Sequence, residues 1–188
     1  MKIRVKKRFY FILLLVICII LFANSKIIGT LLYPIQYKEV IRNNAEKYDL
    51  EPQLIAAIIR AESNFQTGRE SRKGALGLMQ LMPETANWVM DKAGFEKVDD
   101  GHLLEDVDAS VEIGSWYLHS LFQQFNNNQI AAIAAYNAGP GNVRKWLKNG
   151  TWDGLEETVK NIPFGETRHY VQKVQYYYNK YKKTYPIF

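Results

Sequence analysis

The sequence predicts a mostly α-helical protein, and three observations support this prediction. Apolar residues recur at helical spacing in several segments, proline and glycine punctuate those segments, and no segment shows a sustained alternation of apolar and polar residues. With 188 residues, of which 47% are hydrophobic and 23% charged, the chain is long and apolar enough for one folded domain with an accessory segment.

The accessory segment is at the N-terminus. Residues 1–8 are basic, and residues 9–22 contain no polar side chain apart from Tyr10 and Cys18. Because apolar character resumes after Lys26, we expect residues 9–32 to form an uncleaved transmembrane anchor. The alternative is a signal segment that is cleaved near residues 23–25, where small side chains occur. In both cases the basic end faces the cytoplasm and the domain lies outside.

The distribution of charge argues against nucleic acid as a partner. The chain carries 24 basic and 19 acidic residues, but six of the basic ones lie in residues 1–37, which contain no acidic residue. The remaining 18 basic and 19 acidic residues leave the domain nearly neutral, whereas a nucleic-acid-binding domain concentrates basic residues on the fold itself. The single cysteine, Cys18, lies in the apolar segment, so the domain has neither a disulfide nor a thiol nucleophile.

Residues 33–37, with Pro34, are predicted to be a linker, and residues 38–188 form the domain. Proline and glycine define several of its helices: Pro52 and Pro83 begin two of them, and Gly94 and Gly139 end two. Residues 95–104 are predicted to be an irregular loop, and the three asparagines at 126–128 to cap the helix that follows. The predicted helices are 36–48, 52–62, 83–93, 105–125, 129–138, 141–149, 153–160 and 166–182.

Glu62 is the most informative candidate for a catalytic residue. It continues an apolar helical stripe that contains Leu54, Ile55 and Ile58. Apolar neighbours penalise an ionised carboxylate, and the negative end of the helix dipole acts in the same direction, so the pKa of Glu62 should be raised. A carboxyl group that keeps its proton near neutral pH suits general acid catalysis. The alternative is that Glu62 simply turns to solvent at the helix end.

Three further segments carry polar groups that could belong to a site. Gly74 and Gly77 predict a loop whose backbone closely approaches another group, and Gln80 adds an amide to it. Tyr136 and Asn137 end a buried helix, where a tyrosine packed in the core is the alternative interpretation. Glu166 begins the last helix, where an acidic residue is also common for electrostatic reasons alone.

The sequence predicts no metal ion and no cofactor. His102, His119 and His169 share no ligand spacing, and the pair Glu166 and His169 lacks further ligands. No glycine-rich phosphate loop follows a strand, and no nucleophile elbow is present.

Four motifs, taken in order, resemble the catalytic domain of the soluble lytic transglycosylase (SLT) family, which is similar to goose-type lysozyme and cleaves peptidoglycan. They are Glu62-Ser63, Gly77-Leu78-Met79-Gln80, Ala135-Tyr136-Asn137-Ala138-Gly139 and Glu166-Thr167-Arg168. The resemblance covers about residues 38–183 and implies a lysozyme-like helical catalytic domain preceded by the N-terminal transmembrane or signal-anchor helix.

The resemblance also implies roles for individual residues. Glu62 matches the single catalytic acid and base of the family. The residues that match positions around the glycan-binding cleft are Ser71, Gln80, Met82, Tyr136, Asn137 and Glu166. Glu166 is then expected to hold Tyr136 or a sugar rather than to attack the substrate.

The implied activity is cleavage of the β-1,4 bond between N-acetylmuramic acid and N-acetylglucosamine with formation of 1,6-anhydro ends. The implied partners are peptidoglycan strands and, through the N-terminal helix, the bacterial cell membrane, with the catalytic domain outside it. Two alternatives remain at this point: a hydrolytic muramidase of the same fold and a non-catalytic peptidoglycan-binding module.

Overall fold

The structure is a computed structural model that describes residues 2–23 and 26–188. The described chain is mostly helical, which confirms the predicted fold class, and it divides into two compact units, Met1–Ile35 and Gln36–Phe188. Within these described ranges no β-strand forms, and the only extended pairing consists of two isolated bridges that join Leu76 to Glu70 and to Leu81.

The first unit contains helices α1 (Lys2–Ala23) and α2 (Lys26–Leu32). Residues 6–20 of α1 are exposed, and most of them are large apolar residues. Among the helices of the described chain, none has both the length and the apolar character needed to cross a membrane. Asn24 and Ser25, which belong to the alternative cleavage site, lie outside the described residues.

The second unit contains helices α3 to α10 and one short 3₁₀ helix. The bounds of the α-helices are Lys38–Lys47, Pro52–Glu62, Pro83–Ala93, Asp100–Glu105, Val107–Gln124, Gln129–Ala138, Pro140–Lys148 and Gly165–Thr184, and the 3₁₀ helix is Val159–Asn161.

Helix α4 lies at the centre of this unit, between α3 and α10. Its residues from Gln53 to Ile59 are all buried, so burial extends well beyond the predicted stripe to every face of the helix. Helix α8 contacts α7, α9 and α10, and its residues from Ala131 to Ala135 have at most 1% of their surface exposed. Because four of those five side chains are alanines, the neighbouring helices approach its backbone closely.

Most predicted helix ends are confirmed by the capping residues that the sequence indicates. Pro52 and Pro83 are the first residues of α4 and α5, and Gly94 adopts a left-handed conformation with φ 71° at the end of α5. The Asn128 side chain accepts a hydrogen bond of 2.9 Å from the backbone N–H of Ala131 and thereby caps α8.

Two local predictions were wrong. The segment 95–104 is not irregular throughout, because the Asp99 side chain accepts a hydrogen bond of 2.7 Å from the His102 N–H and starts α6. The segment 153–160 is not helical throughout, since the Asp153 side chain accepts hydrogen bonds from the Leu155 N–H and the Thr158 hydroxyl and closes a turn before the 3₁₀ helix begins at Val159. Asp and Asn side chains often compete with helical hydrogen bonding in this way.

Candidate active site

All seven predicted site residues line one cavity of about 580 Å³ in the second unit. They come from the C-terminus of α4, the loop that follows it, the C-terminus of α8 and the first turn of α10. The seven residues are Glu62, Ser71, Gln80, Met82, Tyr136, Asn137 and Glu166. The structure therefore brings the predicted residues together, and their individual roles stay predictions.

Glu62 is the last residue of α4 and is half-buried at the cavity. The helix ends there because Ser63 follows as a buried C-cap, and Asn64 and Phe65 then adopt left-handed conformations that turn the chain away. Since the rest of α4 is held in the core, the position of the Glu62 backbone is fixed by the most deeply buried helix of the unit.

Burial raises the pKa of the Glu62 carboxyl from 4.5 to about 7. The Tyr170 hydroxyl and the positive charges of Lys173 and Arg69 oppose this increase, whereas the negative charge of Glu166 adds to it. A carboxyl group with a pKa near neutral pH can both donate and accept a proton, which suits a general acid that later acts as a base.

The loop between α4 and α5 shapes one wall of the cavity through its own hydrogen bonds. Gln80 has φ 51°, and its Nε2 donates to the carbonyl groups of Arg69 at 2.7 Å and Gly77 at 2.9 Å. The Ser71 hydroxyl accepts a hydrogen bond of 2.9 Å from the Ala75 N–H. Met82 lies at the end of the loop with 38% of its surface exposed, so it offers an apolar contact to a ligand.

The same loop rests on helix α6. At Gly77, where φ is 73°, an added Cβ atom would lie 2.3 Å from the carbonyl oxygen of Leu103, so any side chain there would collide with the backbone. The Gly68 N–H also donates a hydrogen bond of 3.0 Å to the carbonyl group of Leu104. Glycine at position 77 is therefore required by both its conformation and its close packing.

Tyr136 and Asn137 connect α8 by hydrogen bonds to the loop between α4 and α5 and to α10. The Tyr136 hydroxyl donates a hydrogen bond of 3.0 Å to the carbonyl group of Met79, and the Asn137 Oδ1 accepts one of 2.8 Å from the Thr167 hydroxyl. Burial raises the pKa of the Tyr136 hydroxyl well above 10, and the nearby negative charge of Glu62 raises it further. It therefore acts as a neutral hydrogen-bond donor.

The expected contact between Glu166 and Tyr136 is not formed. Instead, Glu166 makes an ion pair of 2.9 Å with Lys73, whose side chain comes from the loop between α4 and α5. The reason is that Tyr136 is already paired with Met79, while both charged side chains are exposed at the rim. Exposed pairs of this kind contribute about 0–1 kcal/mol and exchange partners readily, so Glu166 remains accessible to a ligand.

Sequence reasoning missed two side chains of α10 that surround Glu62. The Tyr170 hydroxyl is buried without a partner of full hydrogen-bond geometry among the described residues, yet it lies close enough to Glu62 to lower its pKa. The Lys173 Nζ donates a hydrogen bond of 2.7 Å to the carbonyl group of Ala61 in the last turn of α4. Both residues follow Glu166 at helical spacing, four and seven positions later, and that spacing was the available signal.

No group of three or more His, Cys, Asp and Glu side chains in the described part of the chain has an arrangement suited to a metal ion. The absence of a metal in the active protein stays a prediction of the sequence.

Comparison with known proteins identifies the family. Residues 39–158 match the family described as the Transglycosylase SLT domain. The soluble lytic murein transglycosylase of Escherichia coli (strain K12) is 38% identical over 147 residues, which are 77% of this chain and 23% of that protein. The membrane-bound lytic murein transglycosylase C of Actinobacillus pleuropneumoniae (serotype 5b) is 30% identical over 166 residues, covering 78% of this chain and 46% of that protein.

Solved structures agree with this result. An inactive mutant of the lytic transglycosylase Slt from Pseudomonas aeruginosa superposes with a TM-score of 0.73 at 38% identity, over 80% of this chain and 24% of that one. The 70-kDa soluble lytic transglycosylase of Escherichia coli gives a TM-score of 0.75 at 37% identity, with the same coverage. This chain thus spans about a quarter of the length of the soluble relatives that it matches. Since the family match covers most of the domain that contains the cavity, the chain belongs to the Transglycosylase SLT domain family.

Proposed function

We propose that this protein is a peptidoglycan lytic transglycosylase, a carbon–oxygen lyase that cleaves the β-1,4 bond between N-acetylmuramic acid and N-acetylglucosamine. The observation that carries the proposal is the half-buried Glu62, whose pKa is raised to about 7 at a cavity lined by polar side chains. The family and the names of the relatives supply the substrate class.

In the first step, protonated Glu62 donates its proton to the glycosidic oxygen, and the bond between that oxygen and C1 of the muramoyl residue breaks. The acetamido oxygen of the same sugar forms a bond to C1 and stabilises the positive charge, which is a substrate-assisted route without an enzyme nucleophile. This route fits a site in which the other cavity-lining carboxylate, Glu166, is paired with Lys73.

In the second step, the ionised Glu62 accepts the proton of the muramoyl 6-hydroxyl group. The hydroxyl oxygen attacks C1 and displaces the acetamido oxygen, which gives a 1,6-anhydro ring and returns Glu62 to its protonated form. No water is consumed. A carboxyl group with a pKa near 7 suits both steps because neither protonation state is strongly favoured at neutral pH.

The remaining predicted residues are assigned to glycan binding. Tyr136 fixes the loop between α4 and α5 through the Met79 carbonyl group, and Gln80 and Asn137 are held in place by hydrogen bonds within the protein. Met82 offers an apolar surface, and Ser71 and Glu166 offer hydrogen-bonding groups at the rim. Prior fixation of these groups lowers the conformational entropy that is lost when a glycan binds.

Mass spectrometry of the products tests the reaction. When the protein is incubated with purified peptidoglycan, we expect fragments whose muramoyl ends are one water lighter than reducing ends and resist borohydride reduction. Reducible ends would instead identify a muramidase, in which water takes the place of the 6-hydroxyl group. Binding to peptidoglycan without release of soluble fragments would identify a non-catalytic binding module.

We further propose that the N-terminal segment anchors the enzyme in the bacterial cell membrane, with the domain on the outer side. The basic residues before the apolar stretch 9–22 and the membrane-bound relative support this assignment. The full chain should remain in the membrane fraction after a carbonate wash, and protease added outside spheroplasts should digest its domain. Recovery of a shortened chain in the medium would show that the segment is a cleaved signal instead.

A further inference from the structure

Aromatic rings continue from the cavity to the surface of the second unit. The Tyr136 and Tyr117 rings, which both line the cavity, have centroids 5.4 Å apart. The Trp88 ring meets Tyr117 edge to face, with the centroids 6.3 Å apart and an interplanar angle of 82°, and it contacts Trp116 at 5.8 Å. The four rings therefore form a continuous series, which we call the aromatic ladder.

The position of Trp88 on α5 follows from the residues that precede it. Met82 and Thr85 line the cavity, and Trp88 is one further turn along the same face of the helix. One such step of three residues advances about 4.5 Å along the helix axis. Trp88 thus lies just beyond the cavity, on the element that forms one of its walls.

Both tryptophan side chains are partly accessible to solvent. Trp88 has 40% of its surface exposed, and Trp116 on α7 is half-buried. A single exposed aromatic residue on a protein surface has no special meaning. This pair is different because the Trp88 ring contacts both Trp116 and Tyr117, and Tyr117 lines the cavity.

We propose that Trp88 and Trp116 form an outer sugar-binding subsite that holds the glycan strand where it leaves the cavity. This inference rests on the proposed function, which supplies a polymeric glycan as the ligand. A pyranose ring has an apolar face and polar edges, and an indole offers a flat apolar face of matching size with an N–H group at its edge. The neighbouring Glu84 and Asn87 are exposed and supply polar groups around the indole ring of Trp88.

A subsite at Trp88 favours the binding of long glycan strands over short ones. A glycan long enough to reach beyond the cavity gains the contact with the indole ring, whereas a short oligosaccharide bound only at Glu62 does not. If the two tryptophans merely held α5 against α7, their loss would affect stability and would act equally on substrates of every length.

The test compares three variants of the full chain: Trp88→Ala, Trp88→Phe and the control Tyr176→Ala. Tyr176 is an aromatic residue of similar exposure, at 50%, which does not line the catalytic cavity. Kinetic constants are measured with peptidoglycan oligosaccharides of increasing length, from a tetrasaccharide upwards, and unfolding curves establish that each variant is folded.

For Trp88→Ala we expect a KM that is unchanged for the shortest cleaved oligosaccharide and raised about tenfold for the longest, with kcat unchanged. Trp88→Phe should retain most of the wild-type preference, and Tyr176→Ala should be indistinguishable from the wild type. An effect of Trp88→Ala that is equal at every length, or no effect, would overturn the proposal.

A binding measurement separates this inference from the proposed function. Calorimetry measures the affinities of two proteins for the same oligosaccharides: the Glu62→Gln variant and the double variant Glu62→Gln with Trp88→Ala. The Glu62→Gln change in both prevents cleavage during the measurement. If the wild type cleaves none of the oligosaccharides, the proposed function fails, and the length dependence of the affinities still decides whether the subsite exists.

Discussion

Replacing Glu62 by glutamine is expected to lower the rate of peptidoglycan cleavage at least about a thousandfold and to leave the fold intact. Glutamine has nearly the same size and still forms hydrogen bonds, but it cannot donate or accept the proton that the reaction moves. A general acid or base contributes about 10²- to 10⁴-fold to a rate, and Glu62 is proposed to act in both steps. The release of soluble muropeptides from purified sacculi measures the effect.

The matched control is Glu156→Gln, which changes an exposed glutamate that does not line the catalytic cavity. This variant should cleave at the wild-type rate. A Glu62→Gln variant that keeps more than about a tenth of the wild-type rate would exclude Glu62 as the general acid, given the contribution expected of such a group.

The same substitution is expected to stabilise the domain at alkaline pH. The folded state raises the pKa of Glu62 from 4.5 to about 7, so between these two values the folded protein binds more protons than the unfolded chain. The free energy of unfolding therefore falls as the pH rises through this range, and the loss is complete about one pH unit above the folded pKa of about 7. The Glu62→Gln variant has no such group and avoids this loss, which amounts to about 3 kcal/mol.

Urea unfolding of both proteins at a series of pH values measures this difference. The stability of Glu62→Gln relative to the wild type should increase between about pH 4 and about pH 8 and then stay constant. Groups that do not interact with Glu62 cancel in this comparison because both proteins contain them. A difference that is independent of pH would show that the folded state does not raise the pKa of Glu62.

The sequence contained most of what determines the helices. Pro52, Pro83, Gly94 and Asn128 act on the backbone within a few residues of their own position, and the ends of α4, α5 and α8 follow from them. The prediction failed where a side chain made an alternative local hydrogen bond. At Asp99 such a bond created a short helix. An aspartate is equally compatible with a cap and with a turn, so pattern alone does not distinguish the two outcomes.

The candidate site was predictable where the residues belonged to a recognisable motif and was not predictable where tertiary packing supplied them. Tyr170 and Lys173 follow Glu166 at helical spacing, but other residues of the last helix share that amphipathic pattern, so the spacing alone does not select these two. Their contacts with α4 depend on how α10 packs against that helix. The pairing of Glu166 with Lys73 joins residues 93 positions apart, a separation at which local patterns carry no information.

The close packing of Gly77 against the Leu103 carbonyl group has a consequence for the evolution and engineering of the protein. Helix α6 contacts the loop between α4 and α5 at Gly68 and Gly77 but contributes no side chain to the cavity wall. We therefore expect insertions in residues 95–105 to shift the loop that carries Ser71 and Gln80, while the amino-acid identity of every cavity-lining residue stays the same. Libraries of variants in residues 95–105 could therefore change the substrate range while every proposed catalytic group is kept.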